Sequence, residues 1–253
     1  MHTISKRTAK TGNVGDELMS SLPTTCPQVK LPKNSDHPMV VFGGGASLAS
    51  AMEGFKSLRT KLMMAQTGRD IRSVAITSAA VADGKTMTSF NLACFCAQLE
   101  DTPVLLIDGD LRTRGLTKMI GSLPAAGLSN VLAGTASCED VLVRTDVPNL
   151  YVIGAGLASI PATELFSSDR WPEVMNWASS VFKLVVVDAL PSAPLADFEL
   201  IAAACDSTLL VVRARSTPRA SLEMALEQID PKKMLGVVWN GASQHGAYYK
   251  AYL

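Results

Sequence analysis

No run of apolar residues in this 253-residue chain approaches the roughly 20 that a membrane-spanning helix needs, so any membrane role has to come through a partner. The opening stretch, MHTISKRTAKTGNVGDELM, lacks the apolar centre of a secretory signal. Neither sign of charge is in excess, since 23 Lys and Arg balance 23 Asp and Glu. That removes the electrostatic case for nucleic acid or for an anionic bilayer. Cysteine is sparse, and the spacing of Cys26, Cys94, Cys96, Cys138 and Cys205 fits no zinc pattern. Reduced thiols of a cytoplasmic protein are expected, with Cys94 and Cys96 on different faces of one helix. What remains is 47% hydrophobic and 18% charged, the composition of a globular domain with a substantial core.

The chain divides by composition. Residues 1–44 are polar and rich in Ser, Thr, Pro and Lys, which predicts a flexible leader. Residues 45–242 alternate apolar runs with helical patterns, and residues 243–253 form a polar, aromatic tail. In the segment 46–65, Phe55, Leu58 and Leu62 make an apolar stripe at helical spacing. Strands are expected at 73–77, 104–107, 150–153, 184–187, 207–212 and 234–239. Helices are expected at 86–99, 129–132, 162–180, 197–204 and 219–228. The strands are short apolar runs rather than alternating ones, as in a parallel sheet covered on both faces. The alternation predicts an α/β fold of the P-loop NTPase kind, a mostly parallel sheet flanked by helices.

The stretch VAITSAAVADGKTMTSFNLA carries the chemistry. An apolar strand enters a loop ending Gly84-Lys85-Thr86, and a helix follows. In such a loop the backbone amides around Ala82, Asp83, Gly84 and Met87 face phosphates, Lys85 neutralises them, and the Thr86 hydroxyl serves Mg²⁺. The consensus glycine five residues before Gly84 is Ala79 here. A second apolar strand ends in Asp108-Gly109-Asp110, where two aspartates at alternate positions share a face. A third, LVVVD, ends in Asp188 and reads as the Walker B element. Carboxylates there suit Mg²⁺ beside a nucleotide, with Asp108 and Asp188 as ligands. ATP and Mg²⁺ are the expected cofactors.

Ile107-Asp108-Gly109-Asp110-Leu111-Arg112 resembles the Walker A′ element of the bacterial tyrosine kinases, which also tolerate loss of the first P-loop glycine. Glu53, Lys56 and Arg59 stand where that family has E-x-x-R-x-x-R, with lysine in place of the middle arginine. Val187-Asp188-Ala189-Leu190-Pro191, Gly127–Leu132 and Gly236–Gly241 resemble further segments of it. The resemblance covers residues 45–253. It implies an ATP-dependent tyrosine autokinase that regulates exopolysaccharide or capsule polymerisation and export. It also implies a homo-oligomeric ring built through Glu53, Lys56 and Arg59. Further, it implies a membrane polysaccharide co-polymerase as activating partner, and a cytoplasmic location peripheral to the inner face of the membrane. Asn240 resembles an adenine-contacting asparagine, with Arg213 and Arg215 expected near the same pocket.

The tail points the same way independently. Of four tyrosines in the chain, Tyr248, Tyr249 and Tyr252 fall in the last six residues. A phenol with a pKa of about 10 needs a proton acceptor at the γ-phosphate, and Asp110 is the candidate, with Lys85 and Asp108 completing the catalytic set. Two other functions compete. A catalytically weak nucleotide-binding regulator would use the same site without transfer. A positioning ATPase of the ParA/MinD type would need a second lysine early in the P-loop, and residues 77–82 contain none.

Overall fold

Continuous runs of Val, Ile and Leu become strands covered on both faces. The computed structural model describes residues 26–33, 40–43, 48–157, 159–192 and 196–242, so the tail with Tyr248, Tyr249 and Tyr252 lies outside the described residues. The strands are β1 (Gln28–Val29), β2 (Ser73–Ser78), β3 (Val104–Asp108), β4 (Val143–Thr145), β5 (Leu150–Ile153), β6 (Leu184–Asp188), β7 (Ser207–Arg213) and β8 (Met234–Asn240). They form one sheet in the order β1-β4-β5-β3-β6-β2-β7-β8. Every neighbouring pair is parallel except β4 with β5. The helices are α1 (Ala49–Gly68), α2 (Lys85–Ala97), α3 (Gly115–Ile120), α4 (Leu128–Leu132), α5 (Cys138–Val141), α6 (Ala162–Phe166), α7 (Arg170–Val181), α8 (Ala196–Ala203) and α9 (Arg219–Glu227).

Alternate side chains of each central strand feed two cores. Val104, Leu106 and Val186 join Val74, Ile76, Phe90 and Leu62 on the face covered by α1 and α2. Leu105, Ile107, Val185 and Val187 join Phe182, Trp171 and Phe198 on the other, under α6 to α8. The predicted stripe of α1 docks here, with Leu62 buried and the Phe55 ring stacked on Phe95 at 5.8 Å. Because α1 covers the outer side of α2, both Cys94 and Cys96 are buried in the same cluster. Different faces of the helix are both covered, as α2 has no solvent face from Thr88 to Ala97. Burial pushes the Cys96 and Cys205 thiols up to about 12, so they are inert.

Two expectations change. Residues 26–33 and 40–43, assigned to the leader by composition, are packed parts of the domain. Val29, Leu31 and Val40 are buried, and β1 extends the sheet beside β4. The predicted helix 162–180 is two helices. The Ser167 hydroxyl bonds back to the Thr163 carbonyl at 2.7 Å and the Ser168 hydroxyl to the Leu165 carbonyl at 2.7 Å, and the chain turns between α6 and α7.

Candidate active site

In the sheet register Asp108 lies beside Asp188, and Asp188 lies beside Ile76. The strands β3, β6 and β2 therefore finish together, and the loops leaving them converge at the carboxyl edge of the sheet, where open α/β sheets build their sites. The P-loop runs from Ala79 to Gly84. Ala79 is buried, and its amide bonds the Val211 carbonyl at 3.3 Å, so this position has the geometry of a strand extension. A Cβ is accommodated there, which is why the consensus glycine is dispensable. The left-handed backbone falls instead on Ala82, at φ 66°, and Gly84, at φ 100°. A Cβ at Gly84 would lie 2.2 Å from Asn240 Nδ2, so only glycine fits. At Ala82 the side chain costs about 1 kcal/mol.

The loop is braced from outside. The Asp83 carboxylate accepts from the Ala80 amide at 2.8 Å and the Thr217 hydroxyl at 2.7 Å. Asn240 Nδ2 donates to the Asp83 carbonyl at 2.8 Å, and Arg213 Nη1 to the Ala82 carbonyl at 3.1 Å. Asn240 and Arg213, expected in the nucleotide pocket, are thus brought to the loop as its supports. Arg215 follows β7 in a left-handed conformation, φ 60°.

At the head of α2, Lys85 reaches Asp110 at 3.1 Å, and both side chains are largely buried. Three carboxylates face this one ammonium. Asp108 accepts from the Thr117 amide at 2.8 Å and its hydroxyl at 2.6 Å. Asp110 accepts from the Thr113 amide at 2.9 Å and its hydroxyl at 2.7 Å. Asp188 accepts from the Ser89 hydroxyl at 3.0 Å, and its other oxygen, Oδ2, is buried without a hydrogen-bond partner among the described residues.

The protonation pattern follows from this arrangement. Burial, reinforced by the Asp188 charge, pushes the Asp108 carboxyl up to about 7 against the pull of the Thr117 bonds. Burial likewise raises Asp188, against the Lys85 charge and the Thr86 and Ser89 hydroxyls. Burial opposes Asp110 too, but Lys85 and Thr113 outweigh it and hold this carboxyl below its ordinary value. Burial also works against the Lys85 charge, and Asp188, Asp110 and Asp108 together overcome that and hold the ammonium above its usual range.

The residues fit a nucleotide with Mg²⁺. An orphaned buried carboxylate oxygen beside the Thr86 position, and an excess of carboxylates over cations, are what a divalent ion relieves. Among the described residues no group of three His, Cys, Asp or Glu forms an all-protein metal cage. Magnesium bound with phosphates needs only one or two carboxylates, with a hydroxyl, phosphate oxygens and waters completing it.

Sequence reasoning brought Lys85, Thr86, Asp108, Asp110 and Asp188 to one place. It missed Ser89, Thr113 and Thr117, which hold the three aspartates, and Asp197, which receives Arg112 Nε at 2.6 Å. The residues expected between subunits are engaged within the chain. Lys56 pairs with Glu53 at 2.6 Å on α1, and Arg59 Nη1 donates to the Phe95 carbonyl at 3.0 Å. Phe95 is in the last turn of α2, whose carbonyls lack helical partners, so Arg59 caps that helix.

No protein-family model matches the chain. The tyrosine-protein kinase CpsD of Streptococcus agalactiae is 32% identical over 205 residues, covering 79% of this chain and 87% of that protein. The kinase domain of the Escherichia coli tyrosine kinase ETK superposes with a TM-score of 0.74 at 24% identity, over 95% of this chain and 97% of that one. The septum site-determining protein MinD from Pyrococcus horikoshii, complexed with Mg-ADP, superposes with a TM-score of 0.55 at 22% identity, over 68% and 72%. The two structural likenesses speak for the fold, a P-loop α/β sheet of mostly parallel strands, and the longer one extends over nearly the whole chain. No helix among the described residues is long and apolar enough to cross a membrane.

Proposed function

The chain belongs to the bacterial tyrosine kinases and is a protein-tyrosine kinase, and from that premise we propose that it uses ATP with Mg²⁺ to phosphorylate the tail tyrosines Tyr248, Tyr249 and Tyr252 of a neighbouring copy. The observation that carries the nucleotide part is the buried Lys85 ammonium facing Asp108, Asp110 and Asp188 at the end of the P-loop. In this reading Lys85 and the loop amides of Ala82, Asp83, Gly84, Thr86 and Met87 hold phosphates. Thr86, Asp188 and Asp108 hold Mg²⁺, which supplies charge neutralisation at the transferring phosphoryl group.

With Asp108 and Asp188 assigned to Mg²⁺, Asp110 is the proton acceptor for the incoming phenol. The phenol oxygen takes the γ-phosphoryl group, its proton goes to Asp110, and ADP leaves. While Lys85 stays on Asp110 that carboxylate is a poor base. A lysine that turns to phosphate oxygens frees it. Asn240 and Arg213 act by fixing the loop, and the nucleotide base lies along their side of it.

The biological setting proposed is regulation of exopolysaccharide or capsule polymerisation and export, with a membrane co-polymerase as activator and a peripheral position at the membrane. It rests on the motif resemblance. The test is direct. The full chain with ATP and Mg²⁺, with and without the candidate activator, is mapped for phosphate by mass spectrometry. Phosphate is expected on Tyr248, Tyr249 or Tyr252 and not on Tyr151, which is buried in the sheet. Transfer that bypasses the tail in the presence of activator sinks the assignment.

Trans phosphorylation requires an assembly, which we place at α1, where Glu53 and Lys56 form a half-exposed ion pair that is weakly held and free to exchange partners. Sedimentation is expected to give a smaller species for Glu53→Arg than for the unaltered chain, and equal sizes would refute the contact.

A further inference from the structure

Beside the proposed catalytic carboxylates lies a cavity of about 410 Å³ that the nucleotide reading does not use. Leu111, Leu157 and Ile160 give it apolar walls, and Arg112, Arg114 and Ser129 give it polar groups. Among the described residues no carboxylate lines it. Arg112 spends Nε on Asp197 and approaches Thr163 with Nη2 at 3.5 Å, which leaves Nη1 for another acceptor. Arg114 is half-buried, stands in a left-handed conformation at φ 53°, and makes no ion pair among the described residues. Ser129 is 4% exposed, and its hydroxyl is buried without a hydrogen-bond partner among the described residues. Leu157 and Ile160 are 58% and 44% exposed, so apolar surface is presented at the rim of the cavity.

The cavity therefore asks for a ligand that is apolar along its length and anionic at its end. A carboxylate side chain is too short to cover Leu111, Leu157 and Ile160 while reaching the arginines. A phosphotyrosine has both parts: a ring for the walls, and a dianion that accepts from guanidinium groups and a hydroxyl. The position is suited to a second tyrosine of the same segment. Thr113, between the two arginines, is the residue that grips Asp110. The tail carries no Asp or Glu, and Tyr252 is three and four residues from Tyr249 and Tyr248. In an extended segment that is roughly 10–13 Å, and Leu111 and Arg112 of the cavity directly follow Asp110 in the chain.

We propose that the cavity lined by Arg112, Arg114 and Ser129 is a phosphotyrosine subsite for the tail of a second copy of this chain, so that a first phosphate seats the segment for transfer to the next tyrosine. This rests on the tyrosine-tail reading above and adds an order to it, with one slow phosphorylation followed by faster ones.

The experiment separates the two ideas by reading binding without catalysis. A labelled, C-terminally amidated peptide of residues 243–253 is titrated with the full chain by fluorescence anisotropy, with Tyr252 either free or phosphorylated. Phosphorylated peptide is expected to bind about tenfold tighter or better, the worth of one or two charge-assisted hydrogen bonds. Arg114→Ala is expected to bring the two peptides within about twofold, and Leu157→Glu, on an exposed loop, to do the same by repulsion. Phenyl phosphate is expected to compete where equimolar inorganic phosphate does not. Equal binding of the two peptides overturns the proposal, as does a preference that survives Arg114→Ala, or equal competition by inorganic phosphate. A chain that never phosphorylates the tail still answers this test. With ATP present, the primed peptide is expected to show a lower KM at unchanged kcat, and Arg114→Ala to raise KM for that peptide alone.

Discussion

A Lys85→Met chain supplied with ATP and Mg²⁺ is expected to transfer phosphate to tyrosine at least about a thousandfold more slowly than the unaltered protein, with nucleotide affinity falling as well. Among the described residues Lys85 is the one cation in contact with the carboxylates of the site, 3.1 Å from Asp110, with Asp188 and Asp108 also favouring its charged form. Removing it takes away the positive charge that would face developing negative charge on the phosphates. It also strands a buried carboxylate, Asp110, without its ion-pair partner. Breaking a buried pair from one side costs roughly 3–5 kcal/mol unless the orphaned group takes up a proton. The melting temperature of Lys85→Met is therefore expected to fall, and to fall further at pH 8 than at pH 5.5. Assays run well below the melting point separate lost chemistry from lost fold. Tyrosine phosphorylation within about threefold of the parent would remove Lys85 from the mechanism.

Asp108→Asn is expected to do the opposite to stability. Asp108 is fully buried, and burial together with Asp188 moves its carboxyl from an ordinary 3.8 to about 7. Below about pH 4 the group is protonated folded and unfolded, and the folded state bears no penalty. Between pH 4 and 7 the folded state must keep a proton that the unfolded chain has already released. The contribution present at low pH is thus lost as pH rises through 7, and the folded protein is destabilised above it. Asp188, also raised, acts in the same direction, whereas Asp110, lowered by Lys85, acts in the reverse one. Asparagine presents its carbonyl oxygen to the Thr117 amide and hydroxyl and carries no charge. The variant is expected to be more stable than the parent by on the order of 3 kcal/mol at pH 8, with the gap closing towards pH 4. Thermal melts of both proteins across that range decide it, and parallel curves would mean that Asp108 is not raised. Phosphate transfer is expected to fall in the same variant. Stability gained and activity lost by one substitution marks a group kept charged for function.

The parts of this site that were legible in the sequence are those in which backbone geometry fixes the spacing. A strand end followed by Gly84-Lys85-Thr86, and aspartates closing β3 and β6, leave little freedom in where their side chains go. The supports were not legible, because a hydroxyl on a helix carries no spacing signature. Ser89 meets Asp188 across 99 positions of chain, and Thr217 meets Asp83 across 134. Only the sheet order brings them together. The same holds for Asn240, whose strand end was read as a nucleotide contact and whose amide lies on the loop itself. The strand β1 escaped because two residues give no period, and its pairing with β4 depends on a partner more than 100 positions away. The break between α6 and α7 was written in Ser167 and Ser168. It was hidden by apolar spacing that runs through both helices.

The brace on the P-loop has a mechanical side. Asn240 closes β8, its Nδ2 holds the Asp83 carbonyl, and its place is the space that a side chain at Gly84 would need. In the sequence Gly241 and Ala242 follow, and then residues 243–253 with the three tyrosines. A pull along β8 from its carboxyl end would therefore act at the amide that shapes the phosphate loop. Through that one side chain β8 is coupled mechanically to the loop at the head of α2.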